Sequence, residues 1–254
     1  MCKFLTDNEL IKNNIVGSVQ KSPFPSIFGI LIFTTLIMIS CSKKTDVKKI
    51  SEGEIEYNIE YLDNEQQNPL IMLLPKKMTT SFANNSSYTL IEGFLGTFKL
   101  IYITNNNAQK NSTLFQMMDK KYYCQTEINY PSFGYQEMEN PVIKYLNSEK
   151  IIAGYNCKKA IASFPKSNLK DIEIYYTDEI ELKNPNRNNP FFQIKGVLMQ
   201  FTVNLLGINM RIETQRISGK KIKPELFEIP NGFTNVSIEE MSEIVNVYSP
   251  KSDK

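Results

Sequence analysis

The stretch QIKGVLMQFTVNLLGINMRIETQRI, from Gln193 to Ile217, predicts a long β-hairpin. Apolar residues stand on alternate positions on both sides of a turn predicted at Gly207 to Asn209, and this period is typical of strands with one buried face. The continuous apolar face, which lines either a cavity or a core, consists of Val197, Met199, Phe201, Val203, Leu205, Met210 and Ile212.

Apolar residues also occur on the opposite face of this hairpin, at Ile194, Leu198 and Leu206. Both faces are therefore expected to be covered at least in part. The cover is either a bound apolar molecule or a helix, and the sequence leaves both alternatives open. Helix candidates are residues 140–146 and the segment SIEEMSEIVNVY, in which Ser237 and Glu240 form a capping box.

Shorter alternating runs predict further strands, and the clearest is GEIEYNIEYL, from Gly53 to Leu62. The other runs are Met78 to Phe82, Tyr88 to Glu92, Thr97 to Thr104, Thr113 to Met118, Ile152 to Phe164 and Ile172 to Tyr176. Turn-rich clusters such as KNPNRNNP, residues 183–190, separate them. The predicted fold is mainly β (α+β), with an antiparallel sheet.

Composition argues against several classes of function. The 254 residues include 29 basic and 27 acidic residues, and the net charge is only +2. Nucleic acid is not an expected partner, because a basic stripe that would bind phosphates is absent from the sequence. Histidine and tryptophan are also absent, which removes the commonest general base and metal ligand.

No catalytic residue, metal site or cofactor is predicted. The S-x-x-K spacing of some serine hydrolases occurs at Ser167 and at Ser218, but the companion motifs of those enzymes are missing. The acidic residues within 178–181 lack the spacing of a known calcium loop. An envelope hydrolase is therefore the less favoured alternative.

The first 40 residues are predicted to be a signal peptide with a long n-region. The apolar run from Ile27 to Ile39 spans 13 residues, whereas a helix that crosses the membrane needs about 20. Ser40 and Cys41 follow, and the stretch resembles a bacterial lipobox. Cys41 is therefore expected to be the lipidated first residue of the mature chain, and the alternative is an uncleaved anchor in which Cys41 is a free thiol.

Export also bears on the two cysteines of the mature domain. Cys124 and Cys157 form an even pair, and exported proteins favour disulfides. We therefore predict a disulfide between them, on neighbouring strands, which would contribute roughly 3.5 kcal/mol on the chain-entropy model.

Several segments, taken in order, resemble a family of Bacteroidetes-type outer-membrane lipoproteins that is related in pattern to GLPGLI-motif proteins and to LolA/LolB-like carriers. The segments are EIEYNIEY, LLPKKMTTSF, IAGYNCKKA, IYYTDEI, KGVLMQF and LFEIPNGF. The resemblance implies a curved sheet that forms an incomplete barrel, with a few helices over an apolar cavity. It also implies a non-enzymatic protein that binds an acyl chain, another lipid or another envelope protein.

These interpretations divide the chain into four segments. Residues 1–40 are the signal peptide, 41–52 the lipidated cysteine and tether, 53–236 the curved sheet domain, and 237–254 the carboxy-terminal helix and tail. Surface-exposed lipoproteins of the Bacteroidetes type carry acidic residues just after the cysteine, whereas this chain has Lys43 and Lys44. The expected location is the periplasmic face of the outer membrane. An interaction component with a filled core is the alternative to a ligand-binding cavity.

Replacing Cys41 with alanine is expected to abolish palmitate labelling and membrane retention together, because acyl chains would supply the anchor. Fractionation of labelled envelopes measures both effects, and protease added to intact cells is expected to leave the wild-type domain uncut. If the Cys41→Ala protein still pelleted with membranes after a high-salt wash, the uncleaved anchor would be the better interpretation.

Overall fold

The computed structural model describes residues 49–62, 74–135, 138, 141–166 and 169–248. The predicted signal peptide, Cys41 and most of the predicted tether lie outside these residues. The described part forms one sheet of twelve strands with a single α-helix. The mainly β, largely antiparallel fold predicted from the alternating runs is therefore confirmed.

The strands are β1 (Gly53–Tyr61), β2 (Lys77–Ala83), β3 (Ser86–Gly93), β4 (Phe98–Asn105), β5 (Lys110–Met117), β6 (Lys120–Glu127), β7 (Val142–Ile152), β8 (Tyr155–Ser163), β9 (Ile172–Thr177), β10 (Val197–Leu205), β11 (Ile208–Gly219) and β12 (Thr234–Asn235). The helix α1 is Ile238–Tyr248, and two short 3-10 turns are Phe94–Gly96 and Pro224–Phe227.

The sheet consists of two antiparallel meanders that meet at β1. The strand order is β12-β6-β5-β4-β3-β2-β1-β11-β10-β9-β8-β7. Neighbouring strands are antiparallel, except that β12 runs parallel to β6. Since β1 pairs with β2 on one side and with β11 on the other, the first predicted strand lies inside the sheet and not at its edge.

One face of the sheet, which we call the inner face, carries the main hydrophobic core. Ile55, Tyr57 and Ile59 of β1 point to it, while Glu56 and Asn58 between them lie on the opposite, outer face. All seven residues of the predicted hairpin face are buried in this same core. The alternation that predicted the hairpin therefore arises from one shared hydrophobic interior.

A loop, and not a helix, covers most of the inner face. The segment between β9 and β10 buries Ile180, Leu182, Phe191 and Ile194 in the inner core. The predicted helix at residues 140–146 is wrong, because Val142–Ile152 is strand β7, paired with β8. Val142, Ile143 and Tyr145 belong to residue types that favour strands, and the pairing with β8 outweighs the weak helical period.

A second, smaller core lies on the outer face. Ile101 and Ile103 of β4 and Leu114 of β5 pack there against Phe227, and Phe233 contacts the same cluster. The chain after β11 thus returns across the outer face and buries apolar residues that the inner face cannot reach. Strands β4 and β5 are consequently buried on both faces.

The carboxy-terminal helix begins at the predicted capping box. The Ser237 backbone N–H donates to the Glu240 carboxylate at 2.7 Å, and the Glu240 N–H donates to the Ser237 hydroxyl at 3.1 Å. Met241 and Val245 are buried against Phe115 of β5. The prediction of this helix is confirmed, and it covers only the β5–β6 end of the inner face.

The long hairpin is confirmed, with its turn one residue earlier than predicted. Leu206 and Gly207 have φ values of 56° and 79°, as a two-residue type I′ turn requires. The side-chain oxygen of Asn204 accepts a hydrogen bond from the Gly207 N–H at 3.2 Å and stabilises the turn.

The last residues of the predicted tether lie on the domain. Ile50 forms a parallel bridge with Ile180, and the Glu52 carboxylate accepts the Ile222 N–H at 2.7 Å. Within the described ranges, none of the helical segments is both long and apolar enough to cross a bilayer.

Arg187 fixes the covering loop to the turns at the far ends of β2 and β4. Its guanidinium donates to the Asn106 side-chain oxygen at 3.1 Å and to the backbone oxygens of Asn85 and Lys183 at 3.2 and 3.0 Å. Partial burial lowers the pKa of this guanidinium, but an arginine remains charged at any physiological pH. The loop is therefore held by charge-assisted hydrogen bonds.

Replacing Arg187 with alanine is expected to reduce the free energy of unfolding by about 2–3 kcal/mol, because several partly buried acceptors lose their donor. Urea titration followed by circular dichroism measures this loss. The Arg216→Ala variant is the control, since that guanidinium pairs with Glu56 on the open outer face, and its unfolding midpoint is expected to change little. Equal effects of the two changes would contradict the role given to Arg187.

Candidate functional site

The first candidate site is the space that remains between the covering loop and the inner face. This inner pocket has a volume of about 80 Å³. Of the predicted hairpin-face residues, its lining includes Val197, Phe201, Val203 and Ile212. Pockets that hold small-molecule ligands usually measure roughly 300–1,000 Å³, so the inner pocket has room for only two or three water molecules.

Tyrosine rings fill much of the rest of this space. Tyr102 stacks on Tyr135, with ring centroids 5.9 Å apart, and Tyr57 meets Phe201 edge to face at 6.3 Å. The Tyr102 hydroxyl donates to the Phe133 carbonyl at 3.0 Å. Burial raises the pKa of Tyr57, Tyr102 and Tyr135, so these phenols stay neutral and act as packing groups.

The residues considered for chemistry are not brought together. Asp178 pairs with Lys158 at 2.8 Å, and this hydrogen bond is the main cause that lowers the pKa of the Asp178 carboxyl. Lys221 pairs with Glu52 at 2.9 Å, whereas Ser218 lies in the ladder opposite Glu54. Ser167 lies outside the described residues. In the described part of the chain, clusters of three metal-ligating side chains are absent.

The predicted disulfide is wrong. Cys124 and Cys157 are both free thiols, and their strands, β6 and β8, stand second and eleventh in the order of the sheet. Cys124 packs near helix α1, whereas Cys157 belongs to the inner core. An even number of cysteines does not indicate whether the fold brings them together, and here the two meanders place them far apart.

A second candidate site is a cleft between β9 and β10. Strand β9 pairs with β8 from Ile172 to Tyr176, but its pairing with β10 stops at Tyr175 opposite Gln200. Beyond that point the two strands separate, and a groove of about 610 Å³ opens between residues 169–173 and 200–204. We call this groove the β9–β10 cleft, and its volume falls within the range of ligand sites.

A β-bulge marks the place where the cleft begins. Leu198 lies opposite Tyr176 and Gln200 lies opposite Tyr175, so Met199 is the extra residue of β10. The Met199 side chain is fully buried in the inner core. Bulges bend a strand and end its pairing, and burial of this methionine therefore turns β10 away from β9.

Three of the charged and amide side chains that surround the cleft already have partners. Arg211 pairs with Glu60 at 3.0 Å, and Gln200 accepts a hydrogen bond from Lys150 at 2.7 Å. Glu173 pairs with Lys159. Ion pairs of this kind at a surface contribute little to stability, so they exchange readily for contacts with a ligand.

Sequence reasoning missed the cleft. Its only local signal is that LMQ, residues 198–200, breaks the alternation by placing apolar residues at both 198 and 199. Such a break is typical of a bulge, but it does not reveal that the neighbouring strand diverges. Lys170 and Asp171, on the cleft wall, precede β9 and carry no pattern that points to a site.

Comparisons with known proteins bear on the fold alone. No family model matches the chain, and no curated protein matches it significantly. The crystal structure of PNGF-II in space group P21 is similar over 77% of this chain and 33% of that one, with 16% identity and a TM-score of 0.50. The C2 form of PNGF-II gives 16% identity, 76% and 32% coverage, and a TM-score of 0.48.

An uncharacterised conserved protein of Thermus thermophilus is more distant, with 6% identity, 72% and 90% coverage, and a TM-score of 0.36. The similarity to PNGF-II covers about a third of the length of PNGF-II. At this identity the likeness to PNGF-II concerns the architecture of the sheet and does not extend to activity.

Both thiols are expected to be unreactive until the protein unfolds. Burial raises the pKa of Cys124 and of Cys157 to about 11, so the nucleophilic thiolate is scarce at any pH below that value. Iodoacetamide at pH 8 without reductant should leave both cysteines unmodified in the folded protein and alkylate both in guanidinium, as peptide mass spectrometry would measure. Recovery of a peptide pair linked through Cys124 and Cys157 would instead support the predicted disulfide.

Proposed function

We propose that the protein is a lipid-anchored component of the cell envelope that acts by binding a partner at its surface. The observation that carries this proposal is the inner pocket of about 80 Å³. An acyl chain needs several times that volume, so the geometry favours the filled-core alternative over a cavity that holds a lipid.

The sheet supports the proposed architecture. We propose an incomplete barrel of the LolA/LolB-like kind, because eleven of its twelve strands follow one another in two antiparallel meanders that leave β7 at one end and β6 with β12 at the other. In such a carrier the concave side would be open. Here Phe191 and Ile194 of the covering loop, both fully buried, occupy that side instead.

The anchor and location are proposed from the sequence around Cys41. Only eight residue steps separate Cys41 from Lys49, where the chain already contacts the domain through a hydrogen bond to the Asp178 carbonyl at 2.9 Å. Eight steps reach at most roughly 26 Å. The domain would therefore work close to the periplasmic face of the outer membrane, with the bilayer and another envelope protein as its partners.

A binding role is preferred to a catalytic one. The sequence offers no histidine as a base, and in the described S-x-x-K pattern Lys221 is paired with Glu52, while Ser218 lies in the ladder opposite Glu54. A large open space of the described part lies instead in the β9–β10 cleft, where Arg211, Gln200 and Glu173 are already paired. This arrangement suits recognition of a partner better than proton transfer.

The proposal is tested by the lipid content of the domain. Residues 42–254, produced in the cytoplasm and purified without detergent, are expected to release far less than one lipid molecule per chain on organic extraction, as measured by mass spectrometry. The Phe191→Ala variant is a positive control, because loss of this buried ring should enlarge the inner pocket. A stoichiometric lipid in the wild-type protein would instead support a carrier.

A further inference from the structure

The β9–β10 cleft is an interruption of the backbone hydrogen-bond ladder inside the sheet. From Phe201 to Leu205, β10 pairs with β11 on one side, and no strand of the described ranges pairs with it on the other. This gap differs from the outer edge of a sheet, because a strand lies on each side of it, β9 on one and β10 on the other. A segment that entered it would find two pairing partners.

The hairpin turn determines which backbone groups face the cleft. In a two-residue hairpin the residues that flank the turn, here Leu205 and Ile208, form a hydrogen-bonded pair, and the bonding alternates from there. Val203 and Phe201 therefore bond to β11, while Thr202 and Asn204 direct their N–H and C=O groups away from it. Asn209 of β11, opposite Asn204, likewise directs its carbonyl away from β10. This carbonyl accepts a hydrogen bond at 2.9 Å from the backbone N–H of Leu62, which follows β1 on the other side of β11.

The contacts of Asn204 agree with this assignment. Its backbone N–H donates to the thioether sulfur of Met138 at 2.9 Å, which is a weak acceptor compared with a carbonyl. Thr202 lines the cleft, and among the described residues no hydrogen-bond partner of its backbone N–H is found. An unpaired strand edge of this kind is a template for another strand.

We propose that the β9–β10 cleft binds an extended peptide segment of a partner protein, which pairs with the backbone of β10 at Thr202. This inference rests on the surface-binding role proposed above and names the class of partner. The gap begins after Gln200, the last residue paired with β9, and ends at Asn204, whose N–H already donates to Met138. The residues between them, Phe201 to Val203, span about 10 Å at roughly 3.3 Å per residue, so the cleft accommodates a short strand of about three or four residues.

The walls of the cleft indicate the character of the segment. Leu169 and Ile172 offer apolar contacts, whereas Lys170, Asp171 and Arg211 offer charges of both signs. In strand addition, main-chain bonds provide affinity and alternate side chains provide specificity. The fitting segment alternates apolar and polar residues and carries little net charge.

The experiment uses the full lipoprotein, purified in detergent micelles, and a phage library of random seven-residue peptides as the probe. Peptides selected on the protein are synthesised, and amide hydrogen exchange is measured with and without them. At a peptide concentration ten times the dissociation constant, exchange of the Thr202 amide should slow about tenfold. The amides of Phe201 and Val203 should change little, because β11 already protects them.

A matched pair of variants locates the binding. In the Thr202→Trp variant the indole ring occupies the cleft from its wall. Peptide binding is expected to weaken by at least about tenfold, because the ring takes the space of the peptide. Glu213→Trp places the same side chain on the same face of β11, outside the cleft lining, and should weaken binding less than about twofold. Both positions are half-buried in strands, so thermal unfolding should show two folded proteins.

The outcomes separate this inference from the proposed function. Failure to select any peptide, or equal effects of the two variants, would overturn the cleft as a docking site. Peptides that protect amides of the edge strand β7 instead would also overturn it, yet leave the surface-binding role intact. Stoichiometric lipid in the inner pocket would overturn the proposed function itself.

Discussion

The pairing of β1 with β11 is the interaction on which the rest of the structure depends. It joins the meander β1–β6 to the meander β7–β11, over a register that runs from Gly53 opposite Gly219 to Tyr61 opposite Met210. The approach at its beginning is so close that a Cβ at Gly53 would lie 2.4 Å from the Ser218 carbonyl oxygen. Without this pairing, the inner core would be divided between two half-sheets.

The same pairing explains why the inner face is filled. A continuous inner face requires cover along its whole length, and helix α1 reaches only the β5–β6 end. The loop between β9 and β10 supplies the remainder, and its fully buried Phe191 and Ile194 lie in the core. Asn186 holds the loop closed by donating to the carbonyls of Ile194 and Gly196 at 2.7 and 2.9 Å. Space for a ligand is lost because this polypeptide must cover the apolar face.

How much the sequence predicts depends on how local the determining contacts are. Strand β1, the long hairpin and the capping box at Ser237 follow from alternation or from contacts within a few residues, and they were predicted correctly. The sequence predicts a helix at residues 140–146, but the pairing of β7 with β8 outweighs that weak local period. The disulfide failed for the same reason, since the distance between Cys124 and Cys157 depends on strand order, which local patterns do not encode.

The two kinds of open edge in this sheet suggest why the cleft is the better docking site. The outer edge, β7, carries Lys144, Glu149 and Lys150 and contains an irregularity between Leu146 and Glu149, which are features that discourage pairing. The edge of β10 at Thr202, inside the sheet, lacks such charges on β10 itself. The next amide that faces the cleft, that of Asn204, has only the Met138 sulfur as its acceptor. Protection of one edge and exposure of the other would direct an incoming strand to the cleft.

The sequence does not predict the cleft, because the cleft arises where a buried bulge residue, Met199, turns β10 away from β9. That divergence depends on packing across the whole inner face.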